Sequence, residues 1–220
     1  MSHLKRIAMP KSWPIKRKID TFIVKPSPGK HKIKNSISLV SFLRDFVCLA
    51  RTKMEAKKIV RAGKISVDNK IIKNEKFAVG LFDRIYIKDL GKAYTIHFDE
   101  RGKIRVKEIK EYKTKPAKII GKKVLNKKKQ QINLYDGRNI LSEEKSKVKD
   151  SVLFDLEKKK VLKVLPMDKN AFVFILAGRR KGYFGKITKI EKGKAIVKLD
   201  KEDANVPLAN LFVVEENERR

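Results

Sequence analysis

Residues 51–72 read RTKMEAKKIVRAGKISVDNKII, and within this stretch a helical pattern gives way to a strand pattern. Thr52 can cap a helix because Glu55, three residues later, can reach back to close a capping box. Gly63 is placed to end that helix. The residues on its buried side are expected to be Ala56, Ile59 and Val60. The stretch therefore predicts a capped amphipathic helix followed by a strand.

The flanking residues extend this pattern into a small α+β unit. Upstream, residues 36–50 predict another helix, whose apolar residues at helical spacing are Leu39, Phe42, Leu43, Phe46 and Val47. Downstream, residues 64–67 alternate as a strand, residues 68–70 can turn, and residues 71–72 continue the hairpin. Residues 83–87 alternate again. Two helices and a short sheet are expected.

Short β-like segments follow between residues 91 and 165. They lie at 94–98, 103–106, 131–134 and 151–154. Asp99–Gly102 is a good hairpin turn between the first two. The stretch 103–129 has twelve Lys and Arg against two glutamates. Part of it is therefore expected to form the rim of a sheet or a long basic loop.

Residues 171–214 predict a final β unit. Strands are expected at 172–176, 186–190 and 195–199, and the last two are joined by a turn at Lys192-Gly193. The apolar residues 211–214 are expected to close a small barrel.

The charge balance indicates a polyanionic partner. The 220 residues include 56 Lys and Arg against 25 Asp and Glu, which gives a formal net charge of +31. A free globule of this charge repels itself, and nucleic acid is the commonest polyanion that removes the cost. An acidic membrane surface usually recruits one basic helix or a short cluster instead. Hydrophobic residues make up 41% of the chain, so two or three small folded domains are expected.

Several classes of site are disfavoured. The single cysteine, Cys48, can form neither an internal disulfide nor a cysteine zinc site, and its apolar neighbours predict a buried small residue. The three histidines lie far apart without ligand spacing, so no metal or other cofactor is expected. No apolar run approaches a membrane span, and no apolar stretch follows the basic N-terminus as in a secretory signal. A reducing, cytoplasmic setting is expected.

Residues 1–35 predict a basic, irregular arm. Ten of them are Lys or Arg, one is acidic, and four prolines forbid a long helix. The segment is interpreted as an arm that orders against RNA phosphates, with a solvated tail as the alternative. Trp13 either anchors the arm on the next domain or stacks on a base, and the anchor is favoured.

The helix at 52–62 carries the first candidate binding surface. Lys53, Lys57 and Arg61 are four residues apart and share the face opposite the buried side. Arg51 and Lys64 extend this stripe at either end. Phosphates need several cations on one rigid surface, so RNA contact is favoured over an ordinary solvated face.

The second candidate is the basic glycine-rich loop 178–185, which holds Arg179, Arg180 and Lys181. It is not a P-loop, because Gly182 comes one residue too early and no Ser or Thr follows Lys186. A tight β turn that also touches RNA is favoured over a purely structural turn. The acidic pairs at 143–144 and 202–203 look like solvated surface, and no nucleophile elbow or Cys–His pairing indicates catalysis.

These residues also carry a family resemblance. Residues 38–88 resemble the RNA-binding domain first described in bacterial ribosomal protein S4, although Asp68-Asn69-Lys70 replaces its usual Asn-Gly turn. Residues 171–198 resemble a KOW motif. With His3-Leu4-Lys5-Arg6, Pro10, Trp13 and the stretch 26–32, in this order, the chain resembles the ribosomal protein S4e family of archaea and eukaryotes.

The resemblance implies a non-enzymatic constituent of the small ribosomal subunit, which contacts ribosomal RNA and neighbouring ribosomal proteins. The end of the sequence soon after Val214, without the longer tail common in eukaryotic members, suggests an archaeal source. Two alternatives remain open: a free RNA-binding factor acting on ribosomal subunits, and an RNA-modifying enzyme. Domains like 38–88 are appended to pseudouridine synthases and some tRNA ligases, which need a large catalytic domain.

The expected architecture is an α+β multidomain chain. It comprises a basic N-terminal arm (1–37), an S4-like RNA-binding domain of two helices and a sheet (38–90), a central β-rich domain (91–168) and a KOW-like β-barrel domain (169–220). The residues expected to contact RNA are Lys5, Arg6, Lys11, Lys16, Arg17, Lys18, Lys30, His31, Lys32, Arg51, Thr52, Lys53, Lys57, Arg61, Lys64, Arg179, Arg180 and Lys181.

Overall fold

The computed structural model describes residues 3–125, 130–142, 144–200 and 202–218. The fold is mostly β with few helices, and it divides into two compact units. The first unit runs up to Lys113 and the second begins at Thr114, except that the turn Asp99–Gly102 groups with the second.

The first unit contains short strands and two helical segments. Its strands, in chain order, are β1 (Leu4–Lys5), β2 (Phe22–Ile23), β3 (Ser36–Ser38), β4 (Ile65–Val67), β5 (Lys70–Ile71), β6 (Ala78–Gly80), β7 (Arg84–Ile87), β8 (Lys92–Phe98) and β9 (Ile104–Ile109). β1 pairs with β2, and β3 pairs with β6. The other five form an antiparallel sheet in the order β5-β4-β7-β8-β9.

Helix α1 (Leu39–Ser41) continues as a π-helical turn over Phe42–Phe46. Ser38 caps it, and its hydroxyl accepts from the Ser41 N–H at 3.3 Å. The predicted helix is confirmed from residue 39, although the residues before it form β3. Leu39, Phe42 and Leu43 are fully buried, so this segment contributes to the core of the unit.

Cys48 corrects one expectation. It was predicted to be buried, but its side chain is exposed. The Val47 N–H donates back to the Phe42 carbonyl at 3.1 Å, and Cys48 then takes a left-handed φ of 57°. The chain turns there between the two helices, and this places the thiol outside the core.

Helix α2 (Lys53–Arg61) and the β4–β5 hairpin follow the sequence prediction. Gly63 ends the helix with a left-handed φ of 72°. Asp68 and Asn69 have φ of 50° and 61°, the conformation of a two-residue type I′ turn. Pairing of Val67 with Lys70 fixes the register of the hairpin.

Strands β8 and β9 belong to the first unit. β8 pairs with β7 from Arg84 opposite Thr95 to Ile87 opposite Lys92, and β9 pairs with β8. Gly91, with a φ of 63°, allows the tight connection between β7 and β8. The sequence-based boundary at 90/91 therefore falls inside one continuous sheet, and the compact unit extends to Lys113.

The second unit contains two five-stranded antiparallel sheets. Its strands are β10 (Thr114–Val124), β11 (Gln130–Leu134), β12 (Asn139–Ser142), β13 (Ser151–Asp155), β14 (Val161–Leu165), β15 (Phe172–Ile175), β16 (Phe184–Glu191), β17 (Lys194–Lys198), β18 (Asp203–Pro207) and β19 (Leu211–Val213). The strand orders are β12-β11-β10-β13-β14 and β18-β17-β16-β15-β19. The expected turn at 192–193 joins β16 to β17, and the last strand pairs with β15.

Each sheet of the second unit has its own core. Ala117, Ile119, Ile132, Leu134 and Val152 form the core of the first sheet. Val173, Ile175, Ile187, Val197 and Leu211 belong to that of the second. Gly185 is required on β16, because a Cβ there would lie 2.5 Å from the Lys198 carbonyl oxygen on β17.

Lys118 links the two sheets. From β10 its Nζ donates to the carbonyl oxygens of Ala209 and Leu211, both at 2.6 Å, and of Leu208 at 3.3 Å. Burial lowers the pKa of this ammonium to about 8. The three carbonyls match the three donors of the charged form, so the contact holds β10 against the segment that precedes β19.

Candidate nucleic-acid interface

The N-terminal segment is fixed to the first unit by Trp13. This side chain is 2% exposed, and its Nε1 donates to the Ser36 carbonyl at 2.9 Å. The prediction that Trp13 anchors the segment is therefore confirmed, and the indole lies inside the unit, away from any position where it could stack on a base.

Two predicted RNA-binding arginines also brace this segment. Arg6 is buried; its Nε donates to the Lys16 carbonyl at 2.7 Å, and its Nη1 pairs with Asp20 at 2.6 Å. Arg17 donates to the Ile7 carbonyl at 2.6 Å. A segment with little regular structure leaves main-chain carbonyls without hydrogen bonds, and the N–H groups of a guanidinium can donate to them. Arg6 and Arg17 therefore stabilise the conformation of the segment.

Lys30 and His31 face inward as well. His31 is buried, and its Nε2 lies 2.9 Å from the carboxylate of Asp83. Lys30 pairs with Asp68 at 3.0 Å, and its Nζ lies 5.8 Å from the centre of the Phe77 ring. Both side chains join the segment to the S4-like residues. The segment's predicted cations that are exposed are Lys5, Lys11, Lys16, Lys18 and Lys32.

Helix α2 begins with the predicted capping box. The Glu55 N–H donates to Thr52 Oγ1 at 3.2 Å, so the Thr52 hydroxyl is occupied within the helix. The N–H groups of Arg51 and Thr52 donate to Glu55 Oε2 at 2.9 and 3.4 Å and lower the pKa of that carboxyl. The cap fixes the rigid start of the basic face.

The cations of the predicted stripe on α2 differ in exposure, and two of them form ion pairs. Lys53 and Arg61 are exposed, whereas Lys57 is half-buried and pairs with Glu75 at 3.3 Å. Lys64 is half-exposed and pairs with Asp89 at 2.7 Å. Arg51 precedes the helix and is exposed.

Sequence reasoning missed one cation of this helix. Lys58 is exposed and lies three residues before Arg61, so the two share a face. The sequence signal for Lys58 is this three-residue spacing, which indicates a shared helix face as the four-residue spacing of Lys53, Lys57 and Arg61 does. We call Arg51, Lys53, Lys58 and Arg61 the α2 cation row.

The glycine-rich loop forms the tight turn that was predicted. Gly178 and Gly182 have φ of 101° and 95°, which only glycine adopts freely. Arg179 is exposed, and Arg180 pairs with Glu202 at 2.5 Å. Burial lowers the pKa of Lys181 to about 8, so its charge weakens as the pH rises past that value.

In residues 3–125, 130–142, 144–200 and 202–218, no three His, Cys, Asp or Glu side chains come together as metal ligands would. None of the helices described is long and apolar enough to span a bilayer.

Comparison with known proteins identifies the family. A model described as ribosomal family S4e matches residues 90–161, an RS4NT domain model matches 2–34, and an S4 domain model matches 46–85. The small ribosomal subunit protein eS4 of Archaeoglobus fulgidus is 43% identical over 185 residues, which cover 84% of this chain and 78% of that protein. The chain belongs to the ribosomal S4e family.

Further members agree with the S4e assignment. The eS4 protein of Methanothermobacter thermautotrophicus is 38% identical over 190 residues, covering 86% of this chain and 78% of that protein. The crystal structure of 30S ribosomal protein S4e from Thermoplasma acidophilum superposes with a TM-score of 0.71 at 25% identity, covering 84% of this chain and 97% of that one. The S4 match of this S4e chain includes α2 and the β4–β5 hairpin.

Proposed function

We propose that this chain is a structural constituent of the small ribosomal subunit, in the cytoplasm, and that it binds and stabilises folded ribosomal RNA. The observation that carries the proposal is the α2 cation row, which lies entirely within the segment matched by the S4 domain model. The names of its eS4 relatives and the net charge of +31 support the same role.

The proposed RNA surface consists of side chains that reach solvent. On the first unit these are the α2 cation row and the exposed lysines Lys5, Lys11, Lys16, Lys18 and Lys32. Arg6, Arg17, Lys30 and His31 act indirectly, because their internal contacts fix the segment that carries those lysines. Thr52, Lys57 and Lys64 contribute through the shape of α2 and its neighbours.

The second unit adds a further contact. We assign residues 169–220 as a KOW-like barrel, in which Arg179 reaches RNA and Arg180 and Lys181 support the turn. Neighbouring ribosomal proteins would complete the surroundings of the chain. We assign it no catalytic role.

Binding is driven by charge and shape. Lys and Arg neutralise phosphates and release the counterions condensed on the RNA. Grooves of folded RNA are recognised largely by their shape, so base specificity along the cation row is modest. With roughly 6–10 phosphates engaged, affinity falls by orders of magnitude between low and physiological salt.

Sedimentation of small subunits tests the proposal. The full chain, added to subunits that lack it, is expected to remain with them through a high-salt wash that strips loosely bound factors. A constituent also buries non-ionic contacts with folded RNA and neighbouring proteins, which salt does not screen, whereas a factor held chiefly by phosphate contacts is released as salt rises. Release of the chain at the salt concentration that removes factors would instead identify a free RNA-binding factor and overturn the structural role.

A further inference from the structure

A cavity of about 560 Å³ opens in the first unit beside the β1–β2 pair. Its wall combines aromatic and basic side chains from separate parts of the chain: His3, Phe22, Lys25, Arg44, Lys53 and Lys76. This volume lies within the range of roughly 300–1,000 Å³ that is usual for small-ligand pockets.

Phe22 provides an exposed aromatic surface at this cavity. It is 54% exposed, although a phenyl ring in a folded unit is normally covered. The pairing of Leu4 with Ile23 and of Lys5 with Phe22 fixes its backbone. The centre of the His3 ring lies 5.6 Å from that of Phe22, with the planes tilted by 56°. The exposed face of Phe22 offers a platform on which a planar group can stack, and His3 packs against this ring at an angle.

The charge around the platform is positive. Lys25, Arg44, Lys53 and Lys76 line the cavity, and within the described ranges no carboxylate lines it with them. Asp45 pairs with Arg44, at 2.9 Å to Nε and 3.0 Å to Nη2, and Asp20 adds negative charge near the same guanidinium. An occupant that places negative charge beside a flat apolar group matches this wall.

Lys53 connects the cavity to the α2 cation row, because it belongs to both. An RNA strand held along α2 therefore passes the mouth of the cavity. A protein segment would need acidic groups beside an apolar side chain to match the same wall, and nothing about α2 favours such a segment over RNA.

We propose that this cavity holds one unpaired nucleotide of the bound RNA, with its base stacked on Phe22 and its flanking phosphates beside the lysines. The inference rests on the proposed function and deepens it: α2 binds the backbone of folded RNA, and the cavity selects a point where a base is turned out of the helix. Stacking on an aromatic side chain tolerates every base, so the cavity recognises an unpaired nucleotide whatever its sequence.

The test uses the full chain and two RNA probes of the same length, about ten nucleotides, one single-stranded and one fully paired. Each strand carries a fluorescent adenine analogue whose emission is quenched by stacking. Phe22→Ala is expected to weaken single-strand binding by about 5- to 100-fold and to remove the quenching, as loss of one base stack predicts. Binding of the duplex is expected to stay unchanged.

Matched variants keep the outcome interpretable. Ile7→Ala removes another exposed apolar side chain, 73% exposed, from the same segment and is expected to change neither probe. Phe22→Trp keeps an aromatic platform and is expected to retain the quenching. An unchanged melting temperature shows that Phe22→Ala is folded.

The results separate this inference from the proposed function. If wild type binds neither probe nor small-subunit RNA, the proposed function fails. If wild type binds but Phe22→Ala weakens both probes equally, or changes neither, the nucleotide assignment is overturned. The second of these results points to a protein segment as the occupant.

Discussion

Lys118 is a cation that acts inside the protein rather than at its surface. Lys118 is 4% exposed. Its Nζ donates to three main-chain carbonyls of residues that follow it by about ninety positions in the sequence. In a chain with 56 Lys and Arg, such a lysine cannot be told from an RNA-binding one by its type or its neighbours in sequence. Only the position of β10 beside residues 208–211 in the folded structure shows that Lys118 points inward.

Lys118→Met is expected to lower the free energy of unfolding by about 1.5–3 kcal/mol, because it removes charge-assisted hydrogen bonds and leaves buried carbonyls without a donor. Chemical denaturation followed by circular dichroism measures the change. Lys123→Met, an exposed lysine on the same strand, is the control and should stay within about 0.5 kcal/mol of wild type. Equal stability of the two variants would show that the contact contributes nothing.

At the scale of the element, the buried face of α2 and its proposed RNA-binding face lie on opposite sides of the helix. Ala56 and Val60 are fully buried, while Lys58 and Arg61 are exposed. Lys57 lies between the two faces and pairs with Glu75. A charge reversal at Lys57 would set two carboxylates side by side and disturb the fold, so Lys58 and Arg61 are the residues that report on binding alone.

The double variant Lys58→Glu with Arg61→Glu is expected to weaken binding to small-subunit RNA by about tenfold or more and to reduce the salt slope by about two, one for each lost phosphate contact. Filter binding across a salt series measures both. Lys158→Glu with Lys160→Glu makes the same charge change at exposed positions before β14. An equal loss in both double variants would attribute the effect to net charge and exclude α2 as a contact surface.

Elements set by neighbouring residues were predictable, and contacts between distant residues were not. The Thr52–Glu55 capping box and the Asp68-Asn69 turn follow from residues within a few positions, and both are found. The inward positions of Arg6 and His31 depend on Asp20 and Asp83, which sequence spacing does not identify as partners.

The pairing of β8 with β7 and the cavity beside β1 and β2 also depend on contacts between separate segments of the chain, so local sequence does not predict them. The boundary expected at 90/91 lies between β7 and β8, which are neighbours in one sheet, and this pairing is not visible in local sequence. Phe22, Arg44 and Lys53 come together at the cavity from three segments. Nothing in the sequence around any of these three residues indicates that it lies close to the other two.

At the scale of the whole molecule, the charge of +31 acts on folding and on binding in opposite directions. Without RNA the cations repel one another and destabilise the compact state. Salt relieves this repulsion, since the screening length falls from about 30 Å at 0.01 M to about 8 Å at 0.15 M. The same screening weakens attraction to RNA phosphates. A protein built to fold against a polyanion should show both effects.

The melting temperature of the free chain is therefore expected to rise by about 2–4 °C over that salt range, equivalent to about 1 kcal/mol, while its affinity for RNA falls. Thermal unfolding by circular dichroism, paired with filter binding in the same buffers, measures both trends. In the Lys158→Glu with Lys160→Glu variant each replacement removes one positive charge and adds one negative charge. Its cations therefore repel one another less, and its melting temperature should rise less with salt. A melting temperature that falls with added salt would mean that exposed ion pairs, which salt screens, outweigh the repulsion among the surface cations; Lys64–Asp89, 2.7 Å apart, is such a pair.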